Sequence, residues 1–71
     1  MKPLEMVHGS IGKRVIVELR GGREYRGVLD GYDHPHLNLV LTNAEELTHG
    51  EKQRDLDKVI VRGDNIVYIS P

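Results

Sequence analysis

Residues 13–33 read KRVIVELRGGREYRGVLDGYD, and this stretch decides the fold. Val15, Val17 and Leu19 alternate with Arg14, Ile16, Glu18 and Arg20. That period of two is the mark of a half-buried strand. Gly21 and Gly22 supply the positive φ that a tight hairpin turn needs. The return strand, from Arg23 to about Asp33, carries Gly27 and Gly31. A glycine inside a strand packs nothing and marks a bulge or a bend. Two of them four residues apart predict a sheet that curls strongly enough to make a small barrel.

Working outward, residues 3–11 predict a short helix. Pro3 suits the first turn, where no N–H is needed. Leu4, Val7 and Ile11 recur at helical spacing, and Gly12 stops the run. On the other side, His34 and Pro35 begin a turn. Leu37, Leu39 and Leu41 then alternate with Asn38, Val40 and Thr42 in a third strand. Residues 45–54 are polar and contain Gly50, which reads as an exposed loop. A fourth strand spans 56–62, Gly63 and Asp64 make a turn, and 65–70 form a fifth strand. Ile66, Val67, Tyr68 and Ile69 are apolar on both of its faces, so that strand is either buried or pairs with a neighbour along its edge. The expectation is a mainly β chain, one domain over residues 1–71. A short N-terminal helix precedes a strongly bent five-stranded antiparallel sheet that forms a small open barrel.

Composition narrows the function. The 71 residues contain no cysteine, which excludes disulfides and thiolate metal sites. A domain this small usually needs staples or partner subunits, so association with other copies is expected. The net charge is −1, unlike a protein that coats duplex DNA by bulk charge. Any nucleic-acid site must be local, built from stacking and hydrogen bonds beside a few cations. No apolar run is long enough to span a bilayer. The opening residues, Met1 to Glu5, do not read as a signal peptide. A cytoplasmic protein with no membrane partner is the expectation.

Two blocks are more specific. Residues 12–44 combine an apolar strand, a glycine turn, Gly27-Val28-Leu29, Tyr32-Asp33 and Leu37-Asn38. Residues 55–70 contain Val59-Ile60-Val61 followed by Arg62-Gly63-Asp64 and a second apolar strand. In that order, separated by the variable stretch 45–54, they resemble the first and second motifs of the Sm-like (Lsm) family in its short archaeal form. The strand pattern alone would also fit SH3-like and OB-like barrels.

The resemblance implies a ring of identical subunits, a homoheptamer first and a hexamer second. It implies binding of uridine-rich single-stranded RNA at the inner rim of the pore, in small-RNA metabolism, as a scaffold or chaperone. Residue by residue, it places His36 where a ring stacks on a base and Arg62 over the other face of that base. Asn38 takes the uracil edge. Asp64 is the acidic partner that orients Asn38, and Gly63 permits close approach of the backbone. Three residues separate Asp33 from Leu37, one more than the family pattern, which makes His34 a second candidate for the stacking position.

Plainer readings compete. His34 and His36 are half a metal site, and no metal or other cofactor is expected. Asp30 and Asp33 fall on opposite faces of a strand, so solvation or a turn hydrogen bond suits them better than acid–base work. No nucleophile–base pair is evident, and the chain does not read as an enzyme. Lys13, Arg14, Arg20, Arg23 and Arg26 read as solvated charges, with a secondary RNA-contacting surface as the sharper alternative. Tyr25, Tyr32 and Tyr68 read as packing or subunit-interface residues rather than base stackers. The rival function is a small barrel that binds peptides by edge-strand addition.

Overall fold

The computed structural model describes all residues, Met1–Pro71. Helix α1 (Pro3–Gly9) precedes strands β1 (Arg14–Leu19), β2 (Arg23–Tyr32), β3 (Leu39–Thr48), β4 (Glu51–Val61) and β5 (Ile66–Ser70). A single 3-10 turn, Gly63–Asn65, joins the last two strands. The sheet is antiparallel with the order β4-β3-β2-β1-β5. The mainly β, strongly bent, five-stranded architecture is the expected one.

The bends fall at the two glycines. Pairing of β2 with β3 slips between Arg26 and Val28, and again between Leu29 and Gly31. A Cβ on Gly27 would lie 2.9 Å from the Thr42 carbonyl oxygen and 3.0 Å from Ala44, so the two backbones approach too closely for any side chain. Opposite it, Asn43 takes φ +48 and leaves the ladder as the extra residue of a bulge. The bulge moves the inward face of β3 from Leu39 and Leu41 to Ala44. These residues join Val7, Val15, Val17, Leu19, Tyr25, Leu29 and Val61 in one core. Leu29, Leu39, Leu41, Val15 and Val17 are fully buried, each contributing about 1.5–3 kcal/mol.

Several boundaries differ from the sequence expectation. The stretch 45–54 is not a loop: β3 runs on to Thr48 and β4 starts at Glu51, so all but two of its residues lie in the paired strands of a hairpin. His49 and Gly50, both at positive φ, make its turn. The polar composition concealed it because Glu51 to Asp55 are exposed on both faces. Buried Glu46 stays polar because it is satisfied. The Tyr25 hydroxyl donates to its Oε1 at 3.0 Å, and the Arg54 Nε lies 3.4 Å from the same oxygen. The third strand begins at Leu39 rather than Leu37, since Leu37 takes φ +57 and breaks the extended run.

The helix ends at Gly9, short of residue 11, where the Ser10 and Ile11 N–H groups tighten onto the Val7 and His8 carbonyls, and the Ser10 hydroxyl donates to the Met6 carbonyl at 2.8 Å. Of its three apolar residues only Val7 is buried. His8 stands edge-on to Tyr32, with Nδ1 and the phenol oxygen 3.2 Å apart, which holds the helix against β2. No helix is long and apolar enough to cross a membrane. The outer edges of β4 and β5 are unpaired, and Ile60, Val67 and Tyr68 lie exposed along them.

Candidate functional site

The chain after β2 and the turn after β4 meet in space because Leu39 at the start of β3 pairs with Val61 at the end of β4. Asn38 therefore lies beside Gly63, and the Gly63 N–H donates to the Asn38 Oδ1 at 2.9 Å. Gly63 is required by space. A Cβ there would lie 1.8 Å from the His36 carbonyl oxygen. Around this junction Pro35, His36, Asn38, Arg62, Gly63 and Asp64 line an open cleft of about 380 Å³. Five of these six are residues singled out from the sequence. His34 is exposed and outside the cleft, so His36 is the histidine that borders it.

The orientation of Asn38 departs from the expectation. Asp64 does not hold it. Asp33 does, with the Asn38 Nδ2 donating to Oδ2 at 3.0 Å and the Asn38 backbone N–H donating to Oδ1 at 2.8 Å. Asp33 can reach because the chain turns back at once, with the Leu37 N–H donating to the Asp33 carbonyl and the Asp33 N–H to the Asn38 carbonyl. Asp64 instead accepts from the Arg62 guanidinium, 2.8 Å away. Adjacent charges on a tight turn find each other before either reaches across the cleft. The signal for Asp33 was in the sequence, in the Tyr32-Asp33 pair and in the short span to Asn38. The two Asn38 donors, side chain first and backbone second, hold the Asp33 carboxyl below its ordinary value, with a smaller contribution from His36.

These contacts fix what Asn38 offers. A side-chain amide has two N–H donors and an oxygen with two lone pairs. Asp33 takes one N–H and Gly63 fills one lone pair, and together they exclude the amide turned end for end. One N–H and one lone pair remain, pointing away from both partners, beside an imidazole and a guanidinium. Such a constellation can take a flat heterocycle edge-on while ring and cation cover its faces.

The LSM domain family matches residues 5–71. An Sm-like protein of Methanococcoides burtonii is 53% identical over 70 residues, covering 99% of this chain and 96% of that one. The structure is similar to that of the Pyrococcus abyssii Sm protein in complex with a uridine heptamer. The TM-score is 0.94 at 46% identity, with 100% of this chain and 99% of that one covered. It is also similar to a heptameric archaeal Sm protein, with a TM-score of 0.85 and 42% identity over 94% of this chain and 96% of that one. The chain belongs to the LSM domain family, the Sm-like proteins.

Proposed function

We propose that this protein binds uridine-rich single-stranded RNA as a closed ring of identical subunits, a heptamer before a hexamer, with one base seated in each cleft. The observation that carries the reading is the Asn38 amide, held by Asp33 on one side and Gly63 on the other. Uracil presents an N3–H donor flanked by two carbonyl acceptors. The free N–H of Asn38 meets a carbonyl and its free lone pair meets N3–H. Cytosine offers a donor at N4 and an acceptor at N3, which calls for the amide reversed, and the two anchors forbid reversal. Stacking on His36 and Arg62 supplies affinity without choosing a base, about 1–3 kcal/mol per base.

The ring reading rests on the free edges. β4 and β5 sit at opposite ends of the sheet order with apolar residues exposed along them. Joining β4 of one copy to β5 of the next satisfies both edges, and the heterologous contact closes when the rotation fits. One strand of RNA then engages several clefts, so weak sites combine. The uridine heptamer held by the similar Pyrococcus protein and the heptameric state of the archaeal Sm protein support this reading.

The test is affinity for oligouridine against oligocytidine, alongside the mass of the assembly. Asn38→Ala is expected to erode the preference for uridine. Arg62→Ala is expected to weaken all binding. An Asn38→Ala protein with its base preference intact would refute the assignment. A monomer indifferent to uridine would favour a peptide-binding barrel.

A further inference from the structure

Arg62 and Asp64 also border a second cleft, of about 410 Å³, whose lining does not include Asn38. Arg20, Arg23, Asn65 and Leu19 line it, and so does Ile60 of the exposed β4 edge. The backbone brings these groups together. Leu19 pairs with Ile66, and the Arg20 N–H donates to the Asn65 carbonyl at 3.1 Å, which ties the tip of the β1–β2 hairpin to the turn carrying Arg62. The cleft therefore gathers three guanidinium groups against one carboxylate, in a chain whose net charge is −1.

The arginines of this protein divide into two sets. Arg26 is paired with Glu24, Arg54 with Glu46, and Arg14 donates to the Asn43 carbonyl. Arg20 and Arg23 have no carboxylate or other acceptor for their guanidinium groups within the subunit. Both are exposed. Arg62 is engaged by Asp64 at one nitrogen, and a guanidinium has five N–H donors in all. A wall shared by two clefts, one fitted to a base edge and the next to an anion, has the layout of a nucleotide repeat: base, then phosphate.

We propose that the RNA strand leaving the base cleft crosses Arg62 into this second cleft, where Arg20 and Arg23 bind the adjoining phosphodiester. The proposal rests on the RNA-binding reading above and extends it from a base slot to a track for the backbone. Arg20 and Arg23 contribute affinity and salt dependence. They contribute nothing to the choice between uracil and cytosine, because every nucleotide carries the same phosphate.

The test is the affinity of the assembled protein for oligouridine and oligocytidine at several salt concentrations, for the native chain and for Arg20→Gln/Arg23→Gln. Native mass spectrometry verifies that the assembly is unchanged. Lys58→Gln, which removes an exposed cation of β4, serves as the charge control. For single strands the slope of log affinity against log salt falls by about 0.7 for each phosphate that the protein no longer neutralises. The double variant is expected to shed about 0.7 from that slope for each subunit whose second cleft the oligomer reaches. It should keep the uridine preference, with Lys58→Gln leaving the slope as it was. A slope unchanged in the double variant but reduced in Arg62→Gln overturns the second cleft and leaves the base cleft standing. An equal reduction in Lys58→Gln also overturns it, since the effect is then one of bulk charge. Absence of any uridine preference in the native protein removes both readings, and is a different outcome from either.

Discussion

Asp33 grips Asn38 at two points, accepting its backbone N–H at 2.8 Å and its side-chain N–H at 3.0 Å. The first bond positions the Asn38 backbone and the second turns its amide. The carboxylate is exposed, yet it governs the one side chain in the cleft whose hydrogen bonds can tell one pyrimidine from another.

Replacing Asp33 with asparagine tests that control. An amide at position 33 has one oxygen where the carboxylate has two, so it cannot accept both Asn38 donors in the present geometry. Asn38 then keeps only the Gly63 anchor and turns more readily to accept from a cytosine N4–H. Asp33→Asn is expected to reduce the preference for oligouridine over oligocytidine by roughly fivefold to tenfold, the scale of one hydrogen bond. Total affinity for oligouridine is expected to fall less, because the proposed stacking on His36 and Arg62 is untouched. Fluorescence anisotropy with both oligomers measures the ratio directly.

The same pair sets a pH dependence. The Asp33 carboxyl is held below its ordinary value of 3.8 by bonds that exist only when it is ionised. A depressed acid contributes its stabilisation above its unperturbed pKa and loses it as pH falls through the depressed one. The Asn38 backbone amide resonance should therefore move as Asp33 takes up its proton, with a midpoint below 3.8. A midpoint at or above 3.8 in a titration followed by NMR would contradict the geometry.

Glycines in this chain separate fold from site. A Cβ on Gly63 would sit 1.8 Å from the His36 carbonyl oxygen, whereas one on Gly31 would meet nothing within 4 Å. Gly63→Ala must push the two cleft-forming segments apart, which breaks the Gly63 to Asn38 hydrogen bond. Oligouridine affinity is expected to drop at least about tenfold, and stability by about 1–3 kcal/mol, the usual cost of overpacking. Gly31→Ala has room, and its melting temperature should stay within a few degrees of the native value. Binding isotherms and thermal unfolding of the two variants, side by side, decide the matter.

The contrast between Asp33 and Asp64 also shows what the sequence can reveal. Alternation of Val15, Val17 and Leu19 carries the strands because burial leaves a mark on residue type, and Gly27 carries the bend because the backbones approach too closely there for a side chain, whereas Gly31 marks the second slip with nothing crowding it. His36, Asn38, Arg62 and Gly63 were recognisable because the family motif is dense there. Which of two carboxylates orients Asn38 depends on how tightly residues 33–38 turn, and two aspartates look alike in one dimension. The β3–β4 hairpin was hidden for a related reason. Strand residues 51–55 are exposed on both faces and show no apolar alternation to read.

Ile60 provides the last test, that of the ring. It lies on β4, an edge strand, with 70% of its surface exposed. Such exposure is unfavourable for an isolated subunit and is relieved if another copy covers it. An aspartate there would place an unpaired charge in the interface without disturbing the core, since the side chain is already in solvent. Ile60→Asp is expected to leave the secondary structure measured by circular dichroism intact and to shift the native mass to smaller species. Affinity for a long oligouridine should fall by about 100-fold, as linked clefts become separate ones, while a single uridine nucleotide should bind each subunit nearly as before. Loss of affinity for the mononucleotide as well would mean that a neighbouring copy completes each cleft.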